Sequence, residues 1–123
     1  MPLNKKKIQK IIDIIFKKKG SDVLLLDIHK HSPITDYFII CTSQSPPHTQ
    51  AIADELLFRL KQDNLLPHHI EGYNNAQWIL LDYFDFVIHI FLNEVRQFYG
   101  LERLWGDVPQ RRYIDQPADK SDN

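Results

Sequence analysis

The stretch from Trp78 to Phe91, WILLDYFDFVIHIF, decides the fold class that the sequence predicts. Residues 78–82 and 86–91 are short apolar runs, and the three residues between them include an aspartate, which is common in tight turns. The two runs therefore predict a β-hairpin. The second run is apolar on both faces apart from His89, which is typical of a strand in a sheet that is covered on both sides.

Helices and strands around this hairpin complete an α/β pattern. The predicted elements are a helix at about 4–19 that Asn4 caps, strands at 22–28 and 35–42, a helix at about 47–63, a short strand at 69–73, the hairpin, and a last helix that Asn93 caps and that ends at Tyr99. This order predicts one α/β domain over residues 1–107, with a mixed sheet of about five strands flanked by helices. Residues 108–123 are polar and contain proline, so we predict a disordered tail.

Charge is distributed unevenly along the chain, although the formal net charge is only −1. Residues 1–20 hold seven lysines against Asp13, whereas residues 21–95 hold three basic residues against ten acidic ones. An acidic body disfavours sequence-specific binding of nucleic acid by the folded core and favours a basic protein as the partner. The lysines lie mainly off the apolar stripe of the first helix, which indicates a solvated face, with contact to RNA as the alternative.

The composition also indicates a cellular compartment. The single cysteine, Cys41, excludes an internal disulfide and a multi-cysteine zinc site, and it suits a reducing environment. Lysines interrupt the first twenty residues, so no apolar run has the length of a signal peptide, and no later run approaches the roughly 20 apolar residues of a membrane span. We therefore expect a cytoplasmic protein without a membrane segment.

Candidate catalytic and metal-binding residues are few. Asp82 and Asp85 bracket the predicted turn, where aspartate side chains commonly accept hydrogen bonds from nearby backbone N–H groups. His89 is expected to be a hydrogen-bonded residue of the core or its rim. The six histidines lack the spacing of a helical metal site, Ser45 fits a helix cap without a nucleophile motif around it, and the four glycines form no phosphate loop. The sequence therefore predicts no cofactor and no metal.

Aromatic residues are concentrated in and after the hairpin. Trp78, Tyr83 and Phe84 lie within it, and Tyr99 and Trp105 follow closely. The chain holds seven phenylalanines, five tyrosines and two tryptophans, which is enough to fill a core and leave one or two rings exposed. An aromatic anchor rimmed by acidic side chains has the composition of a protein-binding hot spot. The hairpin is therefore predicted to be a docking surface.

Three motifs, TDYFIICTSQS, QWILLDYFDFVIHIF and RQFYGLERLW, resemble in the same order the ribosomal silencing factor family, RsfS or Iojap. The match runs from about Asp22 to Trp105. The resemblance implies a non-enzymatic repressor of translation that binds the large ribosomal subunit through ribosomal protein L-fourteen and blocks association with the small subunit when nutrients are scarce. It also implies a nucleotidyltransferase-like core and a homodimer in the free protein.

Family positions map onto this chain residue by residue. The docking motif falls on Trp78, Leu80, Asp82 and Tyr83, and Glu71 adds an acidic group to this partner-binding set. Further matching positions, expected to serve folding, dimerisation or docking, are Asp36, Tyr37, Ser45, His48, His89, Arg96, Tyr99 and Trp105.

Two points stay open beside this resemblance. The family usually has glycine where this chain has Phe84, and a phenylalanine with positive φ would be strained by roughly 1 kcal/mol. The alternative function is a small nucleotidyltransferase-fold or metal-dependent enzyme that uses Asp82, Asp85 and His89.

Overall fold

Six strands form one mixed sheet in the computed structural model, which describes residues 4–114. The elements are α1 (Lys5–Lys17), β1 (Ser21–Asp27), β2 (Tyr37–Ser43), α2 (Pro46–Gln62), β3 (His69–Glu71), β4 (Trp78–Asp82), β5 (Phe86–Leu92), α3 (Asn93–Tyr99), α4 (Leu101–Leu104) and β6 (Gln110–Tyr113). The strand order is β3-β4-β5-β2-β1-β6; β2 and β5 are parallel, and all other neighbours are antiparallel. The predicted mixed α/β sheet is confirmed, with six strands instead of about five.

Both faces of the sheet are covered, which explains why β5 is apolar throughout. On the first face, α1 and α2 pack against the larger core cluster, which includes Ile88 and Ile90 of β5. On the second face, a smaller cluster contains Phe91 together with residues of α3, α4 and the segment after them. Every residue of β5 is buried, as expected for a central strand between two layers.

The predicted helix starts are confirmed for α1 and α2 and wrong for α3. Asn4 Oδ1 accepts a hydrogen bond of 2.9 Å from the Lys7 backbone N–H, and Ser45 Oγ accepts one of 3.2 Å from that of His48. The cap of α3 is Leu92, and Asn93 is already its first helical residue. Since β5 continues to Leu92, the chain passes from strand to helix without a separate capping residue.

Residues 110–113 correct the prediction of a disordered tail. They form β6, which pairs antiparallel with β1 from Val23↔Tyr113 to Leu26↔Gln110. The tyrosine packs against the larger core cluster, and Val108 just before the strand is 6% exposed. The polar composition was misleading because an edge strand needs only one apolar side, while its backbone satisfies the hydrogen-bonding groups of β1. Residues 115–123 lie outside the described part of the chain.

Two further expectations concern the whole fold. Within residues 4–114, none of the helices combines the length and the hydrophobicity that crossing a bilayer requires. The expected similarity to a nucleotidyltransferase core stays a prediction.

Candidate partner-binding site

Strand alternation places three of the predicted docking residues on the second face of the sheet. Trp78, Leu80 and Asp82 are half-buried, whereas Ile79 and Leu81 between them are fully buried in the core of the first face. This is the period of two that a β-strand imposes. The three docking residues on β4 therefore share one face, and the two residues between them belong to the core of the other face.

The neighbouring strand β3 completes a groove. Its register sets Glu71 opposite Leu80 and His69 opposite Asp82, so these side chains share one face. Together they enclose about 400 Å³, lined by His69, Glu71, Gly72, Trp78, Leu80 and Asp82. We call this set the β4 groove. It has an apolar floor with a carboxylate on either side.

Gly72 is the residue that allows β3 and β4 to approach at this point. Its φ is +78°, and an added Cβ would lie 2.1 Å from the carbonyl oxygen of Trp78. A side chain there would clash with backbone and adopt a conformation that L residues rarely adopt. His69 and Gly72 were not among the predicted site residues, because only the β3–β4 register shows that they border the groove.

The indole of Trp78 is held in a fixed position. It stacks on Phe91 with the ring centroids 4.6 Å apart, lies 5.1 Å from the ring of Tyr99, and donates a hydrogen bond of 3.0 Å from Nε1 to Nδ1 of His89. The side chain is half-buried instead of open to solvent, and its remaining surface lines the groove. A pre-organised ring loses little conformational entropy on binding, which suits an anchor residue.

His89 confirms the prediction of a hydrogen-bonded core residue. It is 3% exposed, and its ring meets Phe38 edge-on with the centroids 4.6 Å apart. Burial lowers the pKa of the imidazole to about 3, so the ring is neutral at physiological pH. Since Nδ1 accepts from Trp78, the proton lies on Nε2, which has no hydrogen-bond partner within residues 4–114. The histidine supports the indole and is shielded from any substrate.

Tyr83 does not lie on this surface, which corrects its assignment to the docking set. Its side chain is 7% exposed, belongs to the core of the first face and stacks on Phe86 with the ring centroids 4.9 Å apart. Burial raises the pKa of its phenol to about 12. The motif places Trp78 and Tyr83 only five residues apart, but an odd separation along a strand directs side chains to opposite faces.

The hairpin turn has the strain that the sequence predicted. Phe84 has φ +71° and is 51% exposed, with its ring 4.1 Å from that of His68. Asp82 Oδ1 accepts a hydrogen bond of 2.9 Å from the Phe84 backbone N–H, which is the local turn role expected for this aspartate. The backbone carbonyl of Asp85 accepts from the Asp36 N–H at 2.9 Å.

Two of the three residues of the alternative enzyme site, Asp82 and His89, have structural roles. Among residues 4–114, no three histidine, cysteine, aspartate or glutamate side chains are placed to hold a metal ion. Asp82 caps the turn, and His89 is sealed beneath the indole with its Nδ1 occupied. What the arrangement can do is present an apolar, acid-flanked groove to another macromolecule.

Comparison with known proteins gives the family. A family model described as "Ribosomal silencing factor during starvation", RsfS, matches residues 2–123. The chain belongs to the RsfS family. The chain is 39% identical to ribosomal silencing factor RsfS of Bacillus subtilis over 92 residues, covering 75% of this chain and 78% of that protein. It is 37% identical to RsfS of Halalkalibacterium halodurans, covering 86% and 91% of the two chains.

A solved structure and a more distant relative agree with this membership. An X-ray structure of a protein from Chromobacterium violaceum superimposes with a TM-score of 0.80 at 29% identity, covering 96% of this chain and 98% of the other. A mouse protein named "Mitochondrial assembly of ribosomal large subunit protein 1" is 27% identical, covering 80% of this chain and 44% of its own length. The family resemblance found in the three sequence motifs is thus confirmed.

Among the other RsfS motif positions, the group near α2 has structural roles. His48 links two helices, because its Nδ1 accepts from the Gln44 backbone N–H at 3.0 Å and its Nε2–H donates to the Lys18 carbonyl at 2.7 Å. The carbonyl of Asp36 accepts from the Ile28 N–H at 2.9 Å. Tyr37 packs against the core of the first face, and burial, with nearby carboxylates, raises the pKa of its phenol.

The C-terminal RsfS motif has one structural centre and one exposed ring. Arg96 is 4% exposed; it donates to the Asp22 carbonyl at 2.6 Å and to Thr42 Oγ1 at 2.8 Å, and it pairs with Glu102 at 3.2 Å. These contacts join α3 and α4 to β1 and β2. Tyr99 is 54% exposed, and its ring lies beside the indole of Trp78. The ring of Trp105 meets that of Phe38 edge-on, with the centroids 5.6 Å apart.

Proposed function

We propose that this chain binds the large ribosomal subunit through ribosomal protein L-fourteen and thereby prevents association with the small subunit, repressing translation under nutrient limitation. Membership of the RsfS family supports this proposal, since the family is described as silencing ribosomes during starvation. A non-enzymatic mechanism is part of the proposal. Because the proposed partner is the ribosome, we place the site of action in the cytoplasm.

The observation that carries the proposal is the composition of the β4 groove. Trp78 and Leu80 offer apolar contact area at its centre, and Glu71 and Asp82 flank them. Tryptophan surrounded by polar groups is typical of a binding hot spot. The two carboxylates match a basic ribosomal protein and would raise the rate of association more than the final affinity.

A small surface is sufficient for this mechanism. A protein interface of standard size buries about 1,600 Å² and reaches nanomolar affinity when its central contacts are good. A factor of 123 residues that is held on the subunit-joining face needs no enzymatic step, because it occupies space that the small subunit requires. We also propose that the free protein is a homodimer, as the family resemblance implies.

Sucrose-gradient analysis of ribosomal subunits tests the proposal. Purified large and small subunits are mixed at a magnesium concentration that favours association, with and without the protein. We expect the protein to sediment with the large subunit and to reduce the peak of joined ribosomes. The Trp78→Ala variant should do neither while retaining the circular dichroism spectrum of the wild type. Full subunit joining in the presence of saturating wild-type protein would contradict the proposal.

Phe58→Ala provides a matched control in the same gradients. Phe58 is 60% exposed on α2, which covers the opposite face of the sheet. Loss of this ring removes exposed aromatic surface from α2 without touching the groove. We expect the control variant to block subunit joining as the wild type does.

A further inference from the structure

A band of basic side chains lies at the end of the sheet away from the β4 groove. It consists of Lys5, Lys6 and Lys17 of α1 with Arg111 and Arg112 of β6, all of them exposed. We call it the α1–β6 band. In the strand order, β6 is four positions from β4, which corresponds to about 19 Å at the usual spacing of about 4.8 Å between strands.

The band has an elongated shape. Two adjoining clefts of about 610 Å³ and 360 Å³ lie between α1 and β6, with Lys17 at the first, Lys5 at the second and Arg111 at both. Along the helix axis, Lys5 and Lys17 are about 18 Å apart at the usual rise per residue. This length is sufficient to follow several successive phosphates of a nucleic-acid strand.

Most of these cations have no carboxylate partner in the part of the chain that the structure describes. Within residues 4–114, Lys5, Lys6, Lys17 and Arg111 make no ion pair with a carboxylate. The guanidinium of Arg111 lies 5.1 Å from the centre of the Tyr113 ring, which orients it without neutralising it. Arg112 is the exception, since it is paired with an aspartate of β1.

Two carboxylates also line the clefts, and both already have partners. Asp13 accepts a hydrogen bond of 2.9 Å from Gln9 Nε2. Asp27 lies 2.5 Å from Nδ1 of His29 and accepts from the backbone N–H of the same residue. Among the residues that line the two clefts, three cations without a carboxylate partner in residues 4–114 (Lys5, Lys17 and Arg111) face two carboxylates, so the excess charge of the clefts is positive.

We propose that the α1–β6 band binds the phosphate backbone of RNA. An elongated array of lysine and arginine side chains, most of them without a carboxylate partner among the described residues, matches a linear polyanion, with contacts that carry no base specificity. The choice of RNA rests on the proposed function, because a protein held on the ribosome by its β4 groove has ribosomal RNA around it. An anionic membrane is disfavoured, since the apolar stripe of α1, including Ile8 and Ile12, is buried in the core and has no free face to insert.

This surface could not be recognised in the sequence, because its two groups of basic residues are far apart in the chain. The lysines of α1 are near the start of the chain and the arginines of β6 near its end, in the segment predicted to be disordered. Pairing of β6 with β1 brings Arg111 opposite Leu25 and next to the helix that packs on that strand. The acidic composition of residues 21–95 therefore does not describe the surface of this edge of the sheet.

Fluorescence anisotropy with a labelled single-stranded RNA of about a dozen nucleotides tests the inference, using the full chain at about 50 to 200 mM salt. Each phosphate contact to a single strand contributes about −0.7 to the slope of log affinity against log salt. Four unpaired cations predict a slope near −3 for the wild type. The double variant Lys17→Gln with Arg111→Gln should lose about half of that slope and bind more weakly at every salt concentration.

A matched double variant, Lys61→Gln with Arg103→Gln, removes the same charge from exposed positions outside the clefts. We expect it to keep the wild-type slope. Equal slopes for the two double variants would overturn the inference, as would absence of an anisotropy change at the lowest salt concentration. Binding to phosphatidylglycerol vesicles without binding to RNA would overturn it as well.

The same variants separate this inference from the proposed function. Lys17→Gln with Arg111→Gln should leave binding to isolated ribosomal protein L-fourteen unchanged, because that partner contains no RNA. Trp78→Ala should lose L-fourteen binding and keep the RNA affinity. If wild-type protein binds RNA as expected but fails to bind L-fourteen, the proposed function is contradicted and the RNA site stands.

Discussion

The hydrogen bond from Trp78 to His89 holds the candidate binding surface on a buried side chain of the same face of the sheet. Its acceptor is a neutral imidazole, since burial lowers the pKa of His89 to about 3. Protonation would place a charge in the core and replace the acceptor at Nδ1 with a second donor facing the indole N–H. The histidine is thus a fixed support for the anchor residue at neutral pH.

This arrangement predicts that acid destabilises the fold. The pKa of His89 is about 6.5 when unfolded and about 3 when folded, so between these values the unfolded state binds the additional proton. The stabilisation is present above pH 6.5 and is lost as the pH falls. For this group, the free energy of unfolding should drop by roughly 2 kcal/mol between about pH 7 and pH 5.

Urea unfolding at about pH 7 and pH 5 checks this prediction, with His89→Leu as the variant that removes the titrating group. Between these two pH values, we expect the free energy of unfolding of His89→Leu to fall by roughly 2 kcal/mol less than that of the wild type. His31→Leu, at an exposed position, is the control and should follow the wild type. Parallel pH profiles for wild type and His89→Leu would show that the histidine is not the source of the acid sensitivity.

The Phe84 turn allows a second prediction at the residue scale. With φ at +71°, the Cβ of this residue opposes the backbone conformation, at a cost of roughly 1 kcal/mol. Phe84→Gly should therefore be more stable than Phe84→Ala by about that amount, since both lose the ring contact with His68 and only glycine relieves the strain. Urea midpoints of the two variants measure the difference. Equal midpoints would mean that the turn is unstrained.

Side-chain identity was easier to predict than side-chain direction. The sequence indicated the Ser45 cap and the turn role of Asp82, because each depends on near neighbours in the chain, and the buried histidine, because it lies within an apolar run. The direction of Tyr83 was wrong, because a family motif lists positions without the strand alternation that separates them. The contribution of His69 depends on the register between two strands, which no local pattern specifies.

At the scale of elements, the edge strand β6 supplies hydrogen-bond partners to the side of β1 that faces away from β2. The Asp27 backbone N–H donates to the Pro109 carbonyl at 2.9 Å, so the hydrogen-bonded pairs of this antiparallel ladder recur at every second residue. By this alternation the N–H of Arg111 points toward β1, whereas the N–H of Arg112 points outward. The backbone N–H of Arg111 is therefore expected to donate to β1, whereas that of Arg112 is not.

Proline substitution at these positions tests the pairing. Arg111→Pro removes an N–H that the ladder uses and should lower the free energy of unfolding by roughly 1 to 3 kcal/mol. Arg112→Pro imposes the same ring on the outward position and should cost less, apart from its exposed ion pair. Urea denaturation of both variants gives the comparison. If Arg112→Pro proved as destabilising as Arg111→Pro, the assigned register of β6 would be wrong.

The sequence was sufficient to predict eight of the ten elements in outline, and it did not predict α4 or β6. Apolar runs specified β1, β2, β4 and β5, and helical spacing specified α1 and α2. The segment that forms β6 has only one partly buried side chain on its strand, Tyr113, among three exposed polar residues. Such a strand is stabilised by the neighbour it pairs with, so its own composition does not reveal it.

For the molecule as a whole, the sheet order separates two chemically different surfaces. The β4 groove carries Glu71 and Asp82 beside its apolar floor, and the α1–β6 band carries exposed lysine and arginine side chains. The net charge of −1 conceals this polarity. The proposed protein-binding groove at one end and the proposed RNA-binding edge at the other would together suit a partner made of both protein and RNA.

The fold class and the family followed from the sequence because motif order and hydrophobic periodicity are one-dimensional properties. The sequence predicted only part of the β4 groove. Trp78, Leu80, Asp82 and Glu71 do line it together, but the face that they share and the boundary with β3 depend on pairing between strands. The α1–β6 band could not be predicted from the sequence, because it forms only where α1 and β6 lie side by side. Properties that arise from distant segments need the tertiary structure.

The most direct test of the central claim is calorimetric titration of isolated ribosomal protein L-fourteen with wild-type protein, Leu80→Lys and Phe58→Lys. Both variants add the same charge, at the centre of the β4 groove and on α2 respectively. We expect Leu80→Lys to weaken binding at least tenfold, or about 1.4 kcal/mol, and Phe58→Lys to bind like the wild type. Equal affinities for all three proteins, with both variants folded, would contradict the claim that the β4 groove is the binding site.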